Sequence, residues 1–397
     1  MFLQPLIHRN PDLVAAAVRL HQDGQIPANS YVLDLDTMRA NAAVIAGEAR
    51  RLGLTVLAMT KQFGRNGPAI AALAEGGIDR FVAVDMPCAR AIRDSGHQVA
   101  HIGHLSQIAR HEAADAARLG AEHWTVFNAE KAAEAAAAAE AIGRAQGLLA
   151  RIVAPGDRFY NGHEGGFDAA EVEAVADLLD SRKGGRFAGL TTFPALLYDE
   201  TRREVVPTPN LTTLSRAAER LASHGRTGIA LNAPGTTSAV LLQVLAAAGA
   251  THVEPGHGLT GTTALHVVKD LPEQPAILYL TEVSHHHASD AFALAGGLYV
   301  DPIFPPYQEW ALVGPDPEAA LSNRVCATIP DPASIDYYGK LHPDAGQRAG
   351  VGDTVVYGFR PQVFVTRAYV VPIAGVASGR PEAKGVWNAE GRLALFG

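Results

Sequence analysis

Thr55-Val56-Leu57-Ala58-Met59-Thr60-Lys61 is a short apolar run that ends on a cation. Its length and its Val, Leu and Met content suit a strand buried on both faces, as in a parallel sheet. A lysine leaving such a strand is costly to bury unless its charge is paired or removed. Desolvation lowers a lysine's pKa and suits it to Schiff-base chemistry. A strand-end lysine that snorkels to water is the plain structural alternative.

The same texture recurs along the chain. Runs at Arg80–Asp85, Val99–Leu105, His123–Asn128, Leu148–Val153, Phe187–Phe193, Gly228–Asn232 and Thr251–Glu254 follow Thr55–Lys61, separated by helical stretches such as Asn128–Gly147 and Phe167–Ser181. An earlier run, Tyr31–Asp36, either leads into this series or belongs to another domain. Repeated βα units of this kind predict a parallel (β/α)8 (TIM) barrel rather than an open doubly wound sheet. Near Leu271 the helical period gives way to short strands punctuated by Pro and Gly: Ala276–Val283, Ala295–Tyr299, Asn323–Ile329, Thr354–Phe359 and Phe364–Pro372. The expected organisation is an N-terminal extension over 1–30, an α/β barrel over 31–270 and a β-rich C-terminal domain over 271–397.

Composition suits a large buried core rather than a disordered chain. The 397 residues are 48% hydrophobic and 19% charged, enough for a large core, and the length suggests two domains. A net charge of -8 argues against nucleic acid or an anionic membrane as partner. No run reaches the roughly 20 apolar residues of a membrane span, and no secretory signal is evident at the N-terminus. Two cysteines, Cys88 and Cys326, give neither a disulfide framework nor a CxxC pair, which suits a reducing cytoplasm.

A barrel does its chemistry at the C-terminal ends of its strands. In order, those ends carry Lys61, Asp85, His104, Asn128, Asp157 with Arg158, Phe193, Asn232 and Glu254. The stretch Asn232-Ala-Pro-Gly235-Thr236-Thr237-Ser238 lies between a strand and a helix, where free N–H groups and hydroxyls make an anion cradle; a plain helix cap is the alternative. Glu254-Pro-Gly256-His257-Gly258 is a second Gly-rich turn with an acid beside it, which reads structurally as a tight turn and functionally as a close approach to a ligand.

Taken in order, these residues resemble the fold-type III enzymes of pyridoxal 5′-phosphate (PLP), which include alanine racemase and the eukaryotic-type ornithine decarboxylases. The resemblance runs from about Ser30 to His266. It rests on Leu57-Ala-Met-Thr-Lys61, Phe81-Val-Ala-Val-Asp85, His101-Ile-Gly-His-Leu105 and Glu254-Pro-Gly256, with a weaker C-terminal match at Gly352-Asp-Thr-Val-Val-Tyr357. The overall likeness is to the alanine-racemase-like, YhfX-type branch.

The resemblance implies a role for each matched position. Lys61 would bind PLP as a Schiff base. Asn232, Gly235, Thr236, Thr237, Ser238, Gly256 and His257 would hold the phosphate, with Tyr357 as a further contact. Phe193 stands where the family often places a histidine against the ring; it can stack but cannot donate a proton. Glu254 would meet the pyridine nitrogen, where alanine racemase has an arginine. A carboxylate there favours the protonated ring, a stronger electron sink.

Racemisation needs acid–base groups on both faces of Cα. Lys61 would serve one, and Tyr337 or Tyr338, in Asp336-Tyr-Tyr-Gly339, the other. Two tyrosines packing at an interface are the bland alternative. Arg158 would take the substrate carboxylate. The implied function is an amino-acid racemase or epimerase working as a homodimer with shared sites. A lyase or decarboxylase and a non-catalytic PLP-binding protein are the alternatives. For His285-His286-His287 a solvated turn, or histidines facing substrate without metal, is preferred to a metal site.

Overall fold

The computed structural model describes residues 1–295, 297–299, 307–331 and 335–395. They divide into two compact units, one of Ala42–Thr60 with Leu73–Gly258 and one of Met1–Asn41, Lys61–Ala72 and Leu259–Gly397.

The first unit is the parallel barrel. Its sheet runs Thr55–Val56, His252–Val253, Ala230–Asn232, Gly185–Thr191, Gln146–Val153, His123–Val126, Gln98–Ile102, Arg80–Ala83 and Ala58–Met59, each parallel to the next. The first and last segments belong to one run broken at Leu57, so the sheet closes on itself as a ring of eight runs. All eight runs expected from the sequence are its strands. The strands are almost wholly buried: Leu148, Ala150, Ile152, Phe81, Val82 and Val126 are fully enclosed. One close approach needs a glycine: a Cβ on Gly189 would stand 1.9 Å from Ala230 O on the neighbouring strand. The helix Ala129–Glu140 buries Ala132, Ala135, Ala136 and Ala139, a small-residue stripe at helical spacing that faces the sheet.

The second unit is an antiparallel β structure. Asp290–Leu294, Tyr338–His342, Arg324–Thr328, Glu309–Gly314, Thr354–Tyr357 and Ile277–His287 pair in that order, and the last pairs back with the first to close a six-stranded ring. Ser30–Asp34 pairs antiparallel with Ile277–His287 and parallel with Tyr369–Ala374. The early run at Tyr31 is therefore a strand of this sheet, not the first of the barrel. The helices Leu3–Arg9 and Pro11–Gln22 bury Leu3, Leu6, Leu13, Val14 and Val18 against Val32, Leu278, Leu280, Leu312, Val356 and Val371.

Three local expectations are corrected in this unit. The strand expected at Ala295–Tyr299 is Asp290–Leu294, where small buried Ala291 and Ala293 alternate with larger, partly covered neighbours; residue 296 lies outside the described residues. Strands Glu309–Gly314 and Tyr338–His342 were not expected, because glutamate, lysine and glycine interrupt their apolar pattern. His285–His287 is not a turn but the end of the strand Ile277–His287, paired with Asp290–Leu294. His285 stacks on Phe292 with ring centroids 4.7 Å apart.

Candidate active site

The polar residues at the barrel strand ends are of two kinds. Some are structural. Asp85 Oδ1 accepts from the Cys88 N–H at 2.8 Å and Asn128 Oδ1 from the Lys131 N–H at 2.8 Å, so both cap the following helix. Asp157 accepts from the Ala154 N–H and the Thr213 hydroxyl. The other kind converges on Glu254.

Glu254 is buried to 3% exposure. Its Oε1 accepts from His101 Nδ1 at 2.7 Å and from Asn232 Nδ2 at 2.8 Å. Its Oε2 lies 3.1 Å from His104 Nε2. Burial alone would push this carboxyl up. The positive potential of His104 and His101 and the hydrogen bonds from His101 and Asn232 outweigh burial and hold it below the usual carboxylate range. An ionised carboxylate only accepts, so His101 donates through Nδ1. Its Nε2 is 2.7 Å from the Thr125 hydroxyl. His101, His104 and Glu254 present ligand atoms within 4.8 Å of one another, a donor set a divalent ion could use. Both ring nitrogens of His101 are already engaged, however, so the set is arranged as a hydrogen-bonded acid rather than an open metal centre.

An aromatic patch stands beside it. The Phe193 ring lies 5.7 Å from His104, 5.6 Å from Tyr160 and 5.9 Å from His163. Arg151, inside the strand Gln146–Val153, is 1% exposed. Its guanidinium lies 4.6 Å over the Phe127 ring, and its Nη2 donates to the carbonyls of His163 and Phe193. Desolvation brings its pKa down to about 10, with Glu164 pulling the other way. Arg158 is exposed; its backbone is held by Asn210 from both sides. The buried arginine at this end of the barrel is thus Arg151.

The two Gly-rich turns expected to hold a phosphate pack against each other. Ser238 opens the short helix Ala239–Leu241 without a side-chain cap, and its Oγ is buried without a partner among the described residues. Thr237 Oγ1 donates to Gly235 O, and the Thr236 N–H to Leu196 O. A Cβ on Gly258 would stand 2.5 Å from Thr237 O, so the two turns meet only because that residue is glycine. Gly256 and His257 are buried in the second turn. Asn232, expected beside the phosphate, spends its amide nitrogen on Glu254 and Thr191.

The remaining expected residues belong to the β unit. Lys61 follows directly on Thr60, just past the strand Ala58–Met59, and opens the turn Lys61–Phe63. Its Nζ sits 4.7 Å over the Phe364 ring. Tyr357 is fully buried against Tyr279, with ring centroids 6.2 Å apart; burial raises its phenol above the usual range, and its hydroxyl has no partner among the described residues. Tyr338 opens the strand Tyr338–His342 with its ring edge-on to His285 at 5.0 Å. Tyr337 is 66% exposed.

Sequence reasoning counted His104 among the strand-end residues without giving it a role, and did not assign His101 or Arg151 to the site. The available signal was a polar residue inside an otherwise apolar strand: His101 within Val99–Ile102, and Arg151 between Ala150 and Ile152.

Comparison with known proteins agrees with this architecture. Residues 33–264 match the family described as "Alanine racemase, N-terminal domain", and residues 278–383 match "YhfX-like, C-terminal domain". The protein YhfX of Escherichia coli (strain K12) is 40% identical over 391 residues, covering 98% of this chain and 99% of YhfX. The D-threonine aldolase of Filomicrobium marinum has a similar fold, with TM-score 0.68 at 16% identity, over 93% of this chain and 96% of the aldolase. So does the D-threo-3-hydroxyaspartate dehydratase of Delftia sp. HT23, with TM-score 0.66 at 18% identity, over 94% and 98% of the two chains. The alanine racemase of Clostridium difficile 630, in complex with cycloserine, gives TM-score 0.64 at 14% identity, over 92% and 99%. The chain belongs to the alanine racemase-like family of fold-type III PLP enzymes.

Proposed function

We propose that this chain is a PLP-dependent enzyme that acts at Cα of an amino acid, and that its reaction is racemisation or epimerisation. The observation that supports the cofactor is Glu254, a buried carboxylate kept ionised by its neighbours; racemisation is read from the alanine-racemase-like organisation and the candidate tyrosines Tyr337 and Tyr338. The residues present fit the cofactor: the buried, unpartnered Ser238 hydroxyl in a Gly-rich turn suits a phosphate, and Glu254 suits a protonated ring nitrogen. When bound, PLP withdraws electrons from Cα of an attached amino acid.

The protein's own residues would do the rest. Lys61 anchors the cofactor and moves a proton at one face of Cα. Gly235, Thr236, Thr237, Ser238, Gly256 and His257 bind phosphate, with Tyr357 as a further contact. Phe193 covers the ring and excludes water from it. Tyr337 or Tyr338 holds the proton of the other face, and Arg158 orients the substrate carboxylate. Asn232 acts through Glu254. We further read the protein as a cytoplasmic homodimer with shared sites; that Cys88 and Cys326 form no disulfide suits that compartment.

Borohydride reduction followed by peptide mapping tests the anchor: a pyridoxyl adduct on Lys61 is expected, and an adduct elsewhere or none counts against the reading. Deuterium wash-in at Cα across a panel of amino acids tests the reaction. Exchange without release of other products is expected. A second reading, cleavage or elimination of a β-hydroxy amino acid, is favoured by a carboxylate at Glu254 in place of an arginine. Release of an aldehyde or ammonia would select it over racemisation.

A further inference from the structure

Glu254 is surrounded more heavily than a single acid needs. Oε1 already accepts two hydrogen bonds, from His101 on the strand Gln98–Ile102 and from Asn232 on the strand Ala230–Asn232. Among the described residues Oε2 has the ion-pair contact to His104 Nε2 at 3.1 Å and no hydrogen bond, which leaves it the oxygen with capacity for a further donor. Behind His101 the Thr125 hydroxyl holds Nε2, fixing which nitrogen turns to the acid. Thr191 takes the other hydrogen of the Asn232 amide. His101 and Asn232 each direct an N–H at the carboxylate, and His104 meets its other oxygen at ion-pair distance.

We propose that His101 and His104 are positioning residues for the cofactor: a two-imidazole clamp that keeps Glu254 as a pure acceptor, so that the proton of the pair stays on the cofactor's ring nitrogen. The inference rests on the reading of this barrel as a PLP site. The physical argument is a competition. An acid buried this deeply, facing a ring nitrogen, can keep the proton itself and present a neutral carboxyl. Each N–H aimed at the carboxylate lowers its proton affinity relative to the ring. With the clamp the pair is pyridinium and carboxylate. Without it the pair is pyridine and carboxylic acid, and the ring is a weaker electron sink.

Other charged and titratable groups around the clamp do not replace it. His123, with its ring 6.4 Å from His101, and His252, 5.2 Å from His123, are pushed toward the neutral form by burial. Arg80 and Arg186 act on His123 from the same side. None of these donates a hydrogen bond to Glu254 among the contacts described.

The test uses protein reconstituted with PLP labelled with 15N at the ring. In the wild type the nitrogen resonance should hold the pyridinium position through neutral pH. In His101→Leu and His104→Leu the midpoint for loss of that proton should fall by about one to two pH units each. His101→Asn and His104→Gln, which can return an amide N–H to the same oxygens, should restore most of the shift, a rescue that mere filling of space would not produce. Leucine variants that bind PLP with the wild-type midpoint would overturn the clamp. Should those variants not fold, the cofactor-free wild type decides: a protonated-carboxyl infrared band at neutral pH that vanishes in Glu254→Gln would equally refute it, and its absence would support it. Failure of borohydride to trap PLP on Lys61 would instead sink the underlying reading, so the two failures are distinguishable.

Discussion

Lowering the pH from 7 to 5 challenges the barrel through His123 and His252. Burial holds both imidazoles neutral in the folded chain, His123 at about 3 and His252 at about 4, against 6.5 for a free imidazole. Electrostatic interaction with His101, His252, Arg186 and Arg80 disfavours a charge on His123 further. Below pH 6.5 the unfolded chain takes up protons that the folded chain refuses. Stability is therefore fully present above about pH 6.5 and is lost as the pH falls toward 4 and then 3. At pH 5 each histidine costs on the order of 2 kcal/mol, about 4 kcal/mol for the pair. Most of a typical domain's margin is of that size. The assay is urea unfolding at pH 7 and pH 5, followed by tryptophan fluorescence, in the wild type and in a His123→Gln/His252→Gln variant. The variant should start weaker at pH 7 and lose about 4 kcal/mol less on acidification. A variant with the wild-type pH slope would show that these imidazoles are not the source, and the reasoning would fall.

Further tests address other levels of the structure. Ser238→Ala should raise the dissociation constant for PLP about tenfold by deleting one charge-assisted hydrogen bond, measured by titrating cofactor into the apoprotein; an unchanged constant removes Ser238 from the cradle. Gly258→Ala should weaken PLP binding further, because its Cβ displaces the Thr237 carbonyl, while circular dichroism stays native. Gly189→Ala should abolish soluble expression, since its Cβ cannot coexist with Ala230 O in adjacent barrel strands. Leu13→Ala, deep in the helix–sheet core of the β unit, should cost about 2–5 kcal/mol in chemical denaturation; a loss below about 1 kcal/mol would mean that this core is loosely packed.

The barrel was legible because its period is local. Eight apolar runs of strand length, each followed by helix, can be read without knowing which strands touch. The cluster around Glu254 was legible in part for the same reason: Phe193, Asn232 and Glu254 are all strand-end residues. That rule does not separate cap from site, however, and Asp85 and Asn128 obey it while capping helices. Separation needs the partner, and the partners of Glu254 come from strands far away in sequence. His101 and Arg151 were hidden by the same property that makes them informative, since each interrupts an apolar strand and reads as an imperfection in it. The β unit was least legible. Its strands tolerate glutamate, lysine and glycine at covered or edge positions, so the alternation is diluted, as at Glu309–Gly314 and Tyr338–His342.

The strand Ser30–Asp34 has a consequence for how the molecule is made. Its neighbours on both sides, Ile277–His287 and Tyr369–Ala374, are synthesised only after the whole barrel segment that lies between them in the chain. On the ribosome this early strand and the helices before it must wait, their apolar faces uncovered, while the barrel is translated and folds. Contacts of such long sequence separation form slowly. The interval of exposure is thus longest for the residues synthesised first, and the β unit is sewn shut last. A fragment that starts after residue 41 would keep every barrel strand but leave a slot in the sheet, with two unpaired edges where Ser30–Asp34 belongs. Such edges invite pairing with other chains. A chaperone that binds nascent chains would find its natural target in Leu3–Gln22 and Ser30–Asp34, the segments for which completion is most delayed.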